Sequence, residues 1–300
     1  MNVNDYFKYK RRVVVKIGSS SLQHGATGDL DYGKIEKLVR ELCNLRNRGM
    51  DVCLVSSGAI AVGRKAIGLT ERPQDLAAKQ ACAAVGQARL MMIYQKIFAE
   101  YSQVAAQVLI TKYTILEETS RKNAHNTFDE LFRMGIIPIV NENDTVATHE
   151  IEFGDNDTLS ALVTSLTGAD LLILLSDIDG LYTDDPRHNP QATLVECVNE
   201  MDASYEAMAK TSTGSSVGTG GMATKLTAAR IATGSGADMV IANGRDVGIL
   251  REIVEGDFRG TWFRAQSGEL FDIRTYLKEQ AESQDGEEAE AHGTCLSEDA

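Results

Sequence analysis

Two lysines lie in glycine-containing segments that are suited to contacting phosphate groups. Lys16 ends the apolar run VVVKI and is followed by Gly18 and three serines. Lys225 closes the segment GTGGMATK (218–225), which leads into a stretch with helical periodicity. Glycine lets the backbone approach an anion closely, and hydroxyl and N–H groups donate hydrogen bonds to it. A strand-end lysine also reaches solvent without any ligand, so each position alone has a purely structural explanation.

Three further polar segments complete the set of candidate loops: SSGAIA (56–61), NEND (141–144) and FGDND (153–157). The first opens a helix and offers N–H groups to an anion, although a serine N-cap explains it equally well. The other two place more carboxylates and carboxamides within seventeen residues than turns require. They predict a site that binds an amino acid's ammonium group and orients cations. Helix capping is the alternative role of Asp157, which directly precedes a helical stretch.

The types of residue that are missing narrow the chemistry further. The five histidines are scattered, no Ser-His-Asp pattern is evident, and no GxxxxGK[ST] phosphate loop occurs. Transfer to a hydroxyl usually needs a carboxylate base, whereas a carboxylate acceptor is already ionised at neutral pH. Such an acceptor needs cations that neutralise charge on the transferring phosphoryl group, and Lys16 and Lys225 with Mg²⁺ fit that need.

A dinucleotide-binding alternative fails on its context. Gly218, Gly220 and Ala223 satisfy a loose GxGxxA pattern, with Asp238 twenty residues further on. However, the preceding stretch KTSTGSSV is polar and is not a buried strand, and Asp238 precedes the next apolar run instead of ending it.

Short apolar runs alternate with longer segments of helical periodicity, which predicts parallel strands covered on both faces. The predicted strands are Val13–Ile17, Val52–Val55, Ala105–Ile110, Ile136–Val140, Leu171–Leu175 and Met239–Ala242. The predicted helices are Asp31–Arg48, Leu76–Tyr101, Arg121–Met134, Thr158–Thr167, Met222–Ser235 and Asp246–Glu255, with Gly49, Gly135 and Gly168 as C-caps. SDIDG (176–180) follows a strand, and LYTDDPR (181–187) after it predicts a hairpin turn. The pattern indicates an open α/β sandwich whose ligands bind at the carboxyl ends of the strands.

Composition excludes several classes of protein. The net charge of -13 argues against nucleic-acid binding, and no apolar run approaches membrane-spanning length. Five scattered cysteines and an amino terminus without a signal core predict free thiols and a cytoplasmic protein. We expect one folded domain over residues 1–275. Residues 276–300 carry eight acidic residues against one lysine and predict a disordered acidic tail.

Together, these motifs resemble those of the glutamate 5-kinases of the amino acid kinase family. The resemblance rests on KIGSS, VSSGAIA, IPIVNEND, FGDND, SDIDGLYTDDPR and GTGGMATK, in that order, and runs from about residue 12 to 263. It implies a three-layer α/β/α sandwich around a mainly parallel open sheet. It also implies transfer of the ATP γ-phosphoryl group, with Mg²⁺, to the side-chain carboxylate of L-glutamate, the first step of proline biosynthesis.

The resemblance also implies a role for each motif residue. Lys16 and Lys225 would flank the phosphoryl group, while Asp157 would orient them and help to organise the metal. The residues implied for glutamate are Ser57, Asp144 and Asn156, with Asn141 and Asp155 as neighbours. Those implied for ATP are Lys16, Gly18, Ser176, Asp177, Thr219, Gly220, Gly221, Met222, Ala223, Thr224 and Lys225. Ala223 stands where serine is common, a minor change if backbone N–H groups make the contact.

Partners and rivals follow from the same resemblance. It implies a homo-oligomer (a dimer or tetramer), inhibition by proline at the glutamate site, and delivery of the product to glutamate-5-semialdehyde dehydrogenase. Many bacterial members carry a PUA domain after the kinase domain, and we expect none here. The alternatives are an acetylglutamate, aspartate or UMP kinase of the same fold, and a non-catalytic amino-acid sensor. The motif combination disfavours the former, and the two lysines with Asp157 disfavour the latter.

Overall fold

The computed structural model describes residues 6–25, 27–147, 155–201 and 221–266, together with the single residues 205 and 275. Their centre is an eight-stranded sheet in the order β3-β4-β2-β1-β5-β7-β8-β6. Its strands are β1 (Arg12–Ile17), β2 (Asp51–Ser56), β3 (Ala105–Ile110), β4 (Ile137–Glu142), β5 (Leu171–Ser176), β6 (Cys197–Val198), β7 (Asp238–Asn243) and β8 (Gly260–Phe263). The first six strands of that order are mutually parallel, and β8 runs antiparallel to β7.

Eight α-helices accompany the sheet in the described residues. They are α1 (Tyr32–Asn47), α2 (Ala59–Ala66), α3 (Leu76–Glu100), α4 (Lys112–Leu116), α5 (Glu118–Arg133), α6 (Asn156–Thr167), α7 (Met222–Gly234) and α8 (Ile249–Glu255). Short 3₁₀ helices lie at Phe7–Tyr9 and Ser19–Leu22.

The hydrophobic core is split between the two faces of the sheet. Val13, Val15 and Ile17 of β1 pack with α1, α3 and α8, whereas Val14 packs with α5, α6 and α7. Fully burying a valine or leucine contributes about 1.5–3 kcal/mol, so both layers are firmly attached. The predicted three-layer sandwich around a mainly parallel sheet is confirmed. Because successive strand residues point to opposite faces, Lys16 shares the face of Val14 and is directed towards α6 and α7.

Helix ends follow the predicted chemistry in most places. Gly49, Gly135 and Gly168 all adopt positive φ just after a helix, as C-cap glycines should. Asp31 and Asp75 cap α1 and α3 by accepting hydrogen bonds from backbone N–H groups of the first turn.

Several boundaries and elements differ from the predictions. All six predicted strands exist, but β4 continues two residues further, so Asn141 and Glu142 belong to the strand and not to its loop. Helix α5 begins three residues early because Glu117 accepts from the N–H groups of Thr119 and Ser120. Helix α2 is the helix that SSGAIA was expected to open, although its end was not predicted. The sequence predicts none of α4, β6 or β8, which are short. The predicted hairpin turn is present, since Tyr182 pairs with Leu194 in an antiparallel bridge.

Candidate active site

The described parts of the polar loops singled out in the sequence meet at one edge of the sheet. In the register of the strands, Ile17 lies beside Ser56 and Leu175, and Ser176 lies beside Asn243. These positions are all at carboxyl ends of parallel strands, where open α/β sheets bind ligands. The sheet order sets the arrangement: Asn141 and the Ser57 loop lie on one side of β1, and Ser176 lies on the other.

A buried carboxylate joins the two lysines. Nζ of Lys16 lies 2.5 Å from Oδ1 of Asp157, and Nζ of Lys225 donates to Oδ2 at 3.0 Å. Thr224 also directs its hydroxyl to Oδ2, at 3.2 Å. The exposed fraction of the side chain is 1% for Asp157, 11% for Lys16 and 6% for Lys225. The three elements β1, α6 and α7 therefore bring two ammonium groups to one carboxylate.

The charges of this triad are held by mutual attraction. Burial alone would raise the pKa of Asp157, but Lys16 and Lys225 outweigh it and hold the pKa below its ordinary value. Asp157 is therefore ionised at neutral pH, and with two lysines the triad carries a net positive charge. A site of this kind attracts an anion. A Cβ added to Gly18 would lie 3.6 Å from Nζ of Lys16, so the lysine folds back over this glycine.

Asp155, and not Asp157, caps the helix that carries the carboxylate. Its two oxygens accept from the N–H of Thr158 at 2.7 Å and from the Thr158 hydroxyl at 2.8 Å. The alternative capping role considered for Asp157 is therefore wrong, because that residue lies inside the first turn of α6. Burial raises the pKa of Asp155. A direct role for Asp155 in binding a substrate stays a prediction.

A chain of hydrogen-bonded carboxamide and hydroxyl groups lies on the β2 and β4 side of β1. Nδ2 of Asn156 donates to Oγ of Ser57 at 2.6 Å and to Oδ1 of Asn141 at 3.0 Å. Nδ2 of Asn141 then donates to Oε1 of Gln87, on α3, at 3.1 Å. Three of the predicted residues are thus in direct contact, and Gln87 is joined to them. Asp144 is half-buried in the loop that follows β4.

The loop that carries Ser57 is fixed by two close backbone contacts. Gly58 adopts φ of 106°, a left-handed conformation that favours glycine, and lies against Ser19 of the β1 loop. Helix α2 follows directly and presses against α3 where Gly63 meets Gly86. A Cβ on Gly63 would lie 1.7 Å from the carbonyl oxygen of Cys82, and one on Gly86 would lie 1.8 Å from that of Ala59. The two helices can approach this closely only because both positions lack side chains.

The residues predicted for the nucleotide lie at β5 and at the start of α7. Ser176 is buried at the end of β5 and donates its hydroxyl to Oδ1 of Asp177, which is exposed. Gly221 precedes α7, Met222 is its first residue, and Ala223 is exposed in its first turn. N–H groups in the first turn of a helix have no partner within it and bind anions well. Thr219 and Gly220 lie outside the described residues.

Two aspartates of these segments serve the scaffold. Asp179 accepts from Asn243, Arg259 and Tyr182, tying the loop after β5 to the ends of β7 and β8. Asp238 is fully buried at the first position of β7 and accepts from Nε1 of Trp262. That structural position agrees with the rejection of a dinucleotide-binding pattern. In the described part of the chain, no group of three or more His, Cys, Asp or Glu is placed to hold a metal ion by itself.

Sequence reasoning missed one element that contacts the site segments, the polar stripe of α3. We use this name for Gln80, Gln87 and Tyr94, which are spaced seven residues apart and therefore share one helix face. Gln80 donates to the carbonyl of Ala147, and the Tyr94 hydroxyl lies 2.9 Å from Oγ of Ser56. Polar residues at heptad spacing in a long, mostly apolar helix were the available signal.

Comparison with known sequences places the site in a family context. The family model described as "Amino acid kinase family" matches residues 11–243. A glutamate 5-kinase from Carboxydothermus hydrogenoformans is 52% identical over 261 residues, covering 87% of this chain and 70% of that protein. A glutamate 5-kinase from Clostridium acetobutylicum is 51% identical over 264 residues, covering 88% of this chain and 98% of that protein.

Solved structures share the fold at low sequence identity. Carbamate kinase from Giardia lamblia bound to AMP-PNP is similar with a TM-score of 0.62 at 16% identity, covering 86% of this chain and 100% of that one. UMP kinase from Bacillus anthracis is similar with a TM-score of 0.60 at 17% identity, covering 88% of this chain and 99% of that one. Among the described helices, none is both long and apolar enough to cross a membrane.

Proposed function

We propose a phosphoryl-transfer mechanism for this chain, which belongs to the amino acid kinase family and, within it, to the glutamate 5-kinases. The reaction moves the γ-phosphoryl group of ATP to the side-chain carboxylate of L-glutamate, giving L-glutamyl 5-phosphate and ADP. The observation that carries the residue assignment is the contact of Lys16 and Lys225 with one buried carboxylate, Asp157, between the two halves of the site.

The two lysines would act on the group in flight. A carboxylate nucleophile is already ionised, so no base is needed, and the difficulty is repulsion between two anions. Lys16 and Lys225 would stabilise the negative charge on the transferring oxygens. Their pairing with Asp157 already positions both ammonium groups, so little reorganisation would be needed during the reaction. Asp157 would hold both ammonium groups in place and keep them from repelling one another.

Glutamate would bind on the β2 and β4 side of the triad. Ser57, Asn156 and Asn141 form one hydrogen-bonded group there, and Asp144 lies in the loop after β4. Asp144 would attract the substrate's ammonium group, while the Ser57 hydroxyl would donate to a carboxylate oxygen. Asp155 would act as a neighbour of this group, chiefly by fixing the start of α6.

ATP would bind on the β5 and α7 side. The segment Thr219 to Lys225 would surround the phosphates, with Gly18 letting them approach the β1 loop and with Ser176 and Asp177 beside the nucleotide. We propose Mg²⁺ as the metal, and it would neutralise phosphate charge when bound with ATP. Asp157 is the carboxylate that we propose beside the metal, but its two oxygens already face Lys16 and Lys225. The phosphates would therefore supply most of the ligands of Mg²⁺, which typically binds one or two carboxylates plus phosphates.

The remaining partners are proposed from family membership. An acyl phosphate is reactive, so a dehydrogenase that reduces it, glutamate-5-semialdehyde dehydrogenase, would consume it. Proline would compete at the glutamate side, and the chain would assemble as a dimer or tetramer in the cytoplasm. The thiols of Cys43, Cys53, Cys82 and Cys197 are all unpaired, as a reducing compartment requires.

An acceptor panel tests the proposed reaction. ADP release is measured with glutamate, N-acetylglutamate, aspartate and UMP at equal concentrations. We expect release with glutamate to exceed release with each of the others by at least about a hundredfold, because a missing partner leaves buried polar groups unpaired. A clear preference for another acceptor, or no release with glutamate, contradicts the proposal.

A further inference from the structure

The polar stripe of α3 contacts three segments beside the proposed glutamate site. Gln80 contacts the loop after β4, Gln87 contacts the end of β4, and Tyr94 contacts the end of β2. Between these contacts, Gly86 brings the α3 backbone against α2. Gln87 directly follows Gly86, so this close helix crossing sets the position of its backbone.

The hydrogen bond from Asn141 to Gln87 matches the direction in which the Asn141 carboxamide points, with the Gln87 oxygen facing the Asn141 NH₂ group. Gln87 is 7% exposed and Asn141 is 4% exposed, so water cannot readily replace this bond. With Nδ2 of Asn141 donating to Gln87, its Oδ1 faces Asn156 and accepts from that residue. An Asn141 turned by 180° would instead point its NH₂ group at the NH₂ group of Asn156.

This orientation sets the polarity of the groups presented to the substrate. Asn156 uses its NH₂ group on Asn141 and Ser57, so its carbonyl oxygen is the group left for a ligand. Ser57 accepts from Asn156, so its own proton remains available to donate. A carbonyl acceptor suits the ammonium group of an amino acid, and a hydroxyl donor suits its carboxylate.

We propose that Gln87 is a positioning residue that fixes the polarity of the Asn141, Asn156 and Ser57 relay and thereby tunes affinity for the amino-acid substrate. The inference deepens the proposed function and rests on it. Gln87 touches no reacting atom in this account. Its effect passes through Asn141, and it should therefore appear in glutamate binding and not in ATP binding.

The test compares three substitutions on the same helix. Gln87→Met keeps the length of the side chain but removes the acceptor, while Gln87→Glu keeps an acceptor oxygen. Gln95→Met is the matched control, since Gln95 is an exposed residue of α3. We expect Gln87→Met to raise the glutamate KM about tenfold, the size of one lost hydrogen bond, with the ATP KM within twofold. Gln87→Glu should restore the glutamate KM to within about threefold, and Gln95→Met should match the wild type.

A double-mutant cycle separates positioning from a general loss of structure. In an Asn141→Ala background, Gln87→Met should change the glutamate KM by less than twofold, because its route of action is gone. Equal losses for glutamate and ATP, an undiminished loss in that background, or a Gln87→Glu enzyme as weak as Gln87→Met would each overturn the inference. A wild type that transfers nothing to glutamate defeats the proposed function itself, whereas an active wild type with an unaffected Gln87→Met defeats only the role of Gln87.

Discussion

The crossing of α2 and α3 at Gly63 and Gly86 links helix packing to the acceptor site. Helix α2 begins one residue after Gly58, so any movement of α2 displaces the loop that carries Ser57. In Gly63→Ala the added methyl group would meet the carbonyl oxygen of Cys82 at 1.7 Å, where van der Waals contact begins near 3.4 Å. The helices must therefore separate by about 1.5 Å, because backbone lies on both sides and no flexible side chain can give way.

The expected cost follows from that separation. Overpacking a well-packed contact costs about 1–3 kcal/mol, and two facing backbones place this site at the upper end. Alanine's better helix propensity returns about 1 kcal/mol, leaving a net loss of about 2 kcal/mol. For a domain of this size the loss corresponds to a Tm lower by about 4–8 °C. A misplacement of about 1 Å can cost a hundredfold in rate, so kcat/KM for glutamate should fall at least tenfold.

Thermal unfolding and steady-state kinetics measure both effects. Gly33→Ala is the matched control, because its Cβ would meet Oδ1 of Asp31 at an ordinary 3.5 Å in the first turn of α1. That variant should keep its activity and be unchanged or about 1 kcal/mol more stable. If Gly63→Ala behaves like Gly33→Ala in both measurements, the close helix crossing does not position the acceptor loop.

Three other substitutions test the roles assigned at the site. Lys225→Ala should lower kcat at least a hundredfold with little change in the glutamate KM, and an unchanged kcat would remove Lys225 from the transition state. Asp144→Ala should raise the glutamate KM at least tenfold, and an effect confined to the ATP KM would refute its role. Asp157→Asn should lower the free energy of unfolding at pH 7 by about 3 kcal/mol, because two buried lysines lose their carboxylate. Folding lowers the pKa of Asp157. Its contribution to the free energy of unfolding is therefore present above the unfolded-state pKa of 3.8 and is lost as the pH falls through the folded-state pKa. The gap between wild type and variant in urea unfolding should therefore narrow at acid pH, and a gap that is constant with pH would contradict the assigned cause.

Periodicity and strand-end chemistry predicted the parts of this molecule that depend on local sequence. The six predicted strands are short apolar runs, although β3, at the edge of the sheet, is only partly buried. Lys16, Asn141 and Ser176 stand at the carboxyl ends of β1, β4 and β5, so the site edge followed from the fold class. The strands β6 and β8 escaped prediction, because pairing with a neighbour, and not their own composition, defines such short segments. The disorder of residues 276–300 and the domain limit at 275 stay predictions, since both lie outside the continuous described ranges.

Contacts between distant segments were beyond local reasoning. Nothing near Gly63 in the sequence shows that it faces Gly86, since both positions read as ordinary helix glycines that cost stability. Gln87 likewise resembles any polar residue of a helix until Asn141 is placed beside it. The capping of α6 by Asp155 shows the same limit on a smaller scale, because the helix begins two residues earlier than predicted and so leaves Asp157 inside its first turn.

The central claim is that the acceptor is the side-chain carboxylate of glutamate. Trapping the product with hydroxylamine is the most direct test of this claim. An acyl phosphate reacts with hydroxylamine to give a hydroxamate, whose position on the glutamate skeleton identifies the phosphorylated carboxylate. The account predicts the side-chain hydroxamate of glutamate, formed one-for-one with ADP and dependent on both ATP and glutamate. ADP release without any hydroxamate, or a hydroxamate at the α-carboxylate, would contradict it.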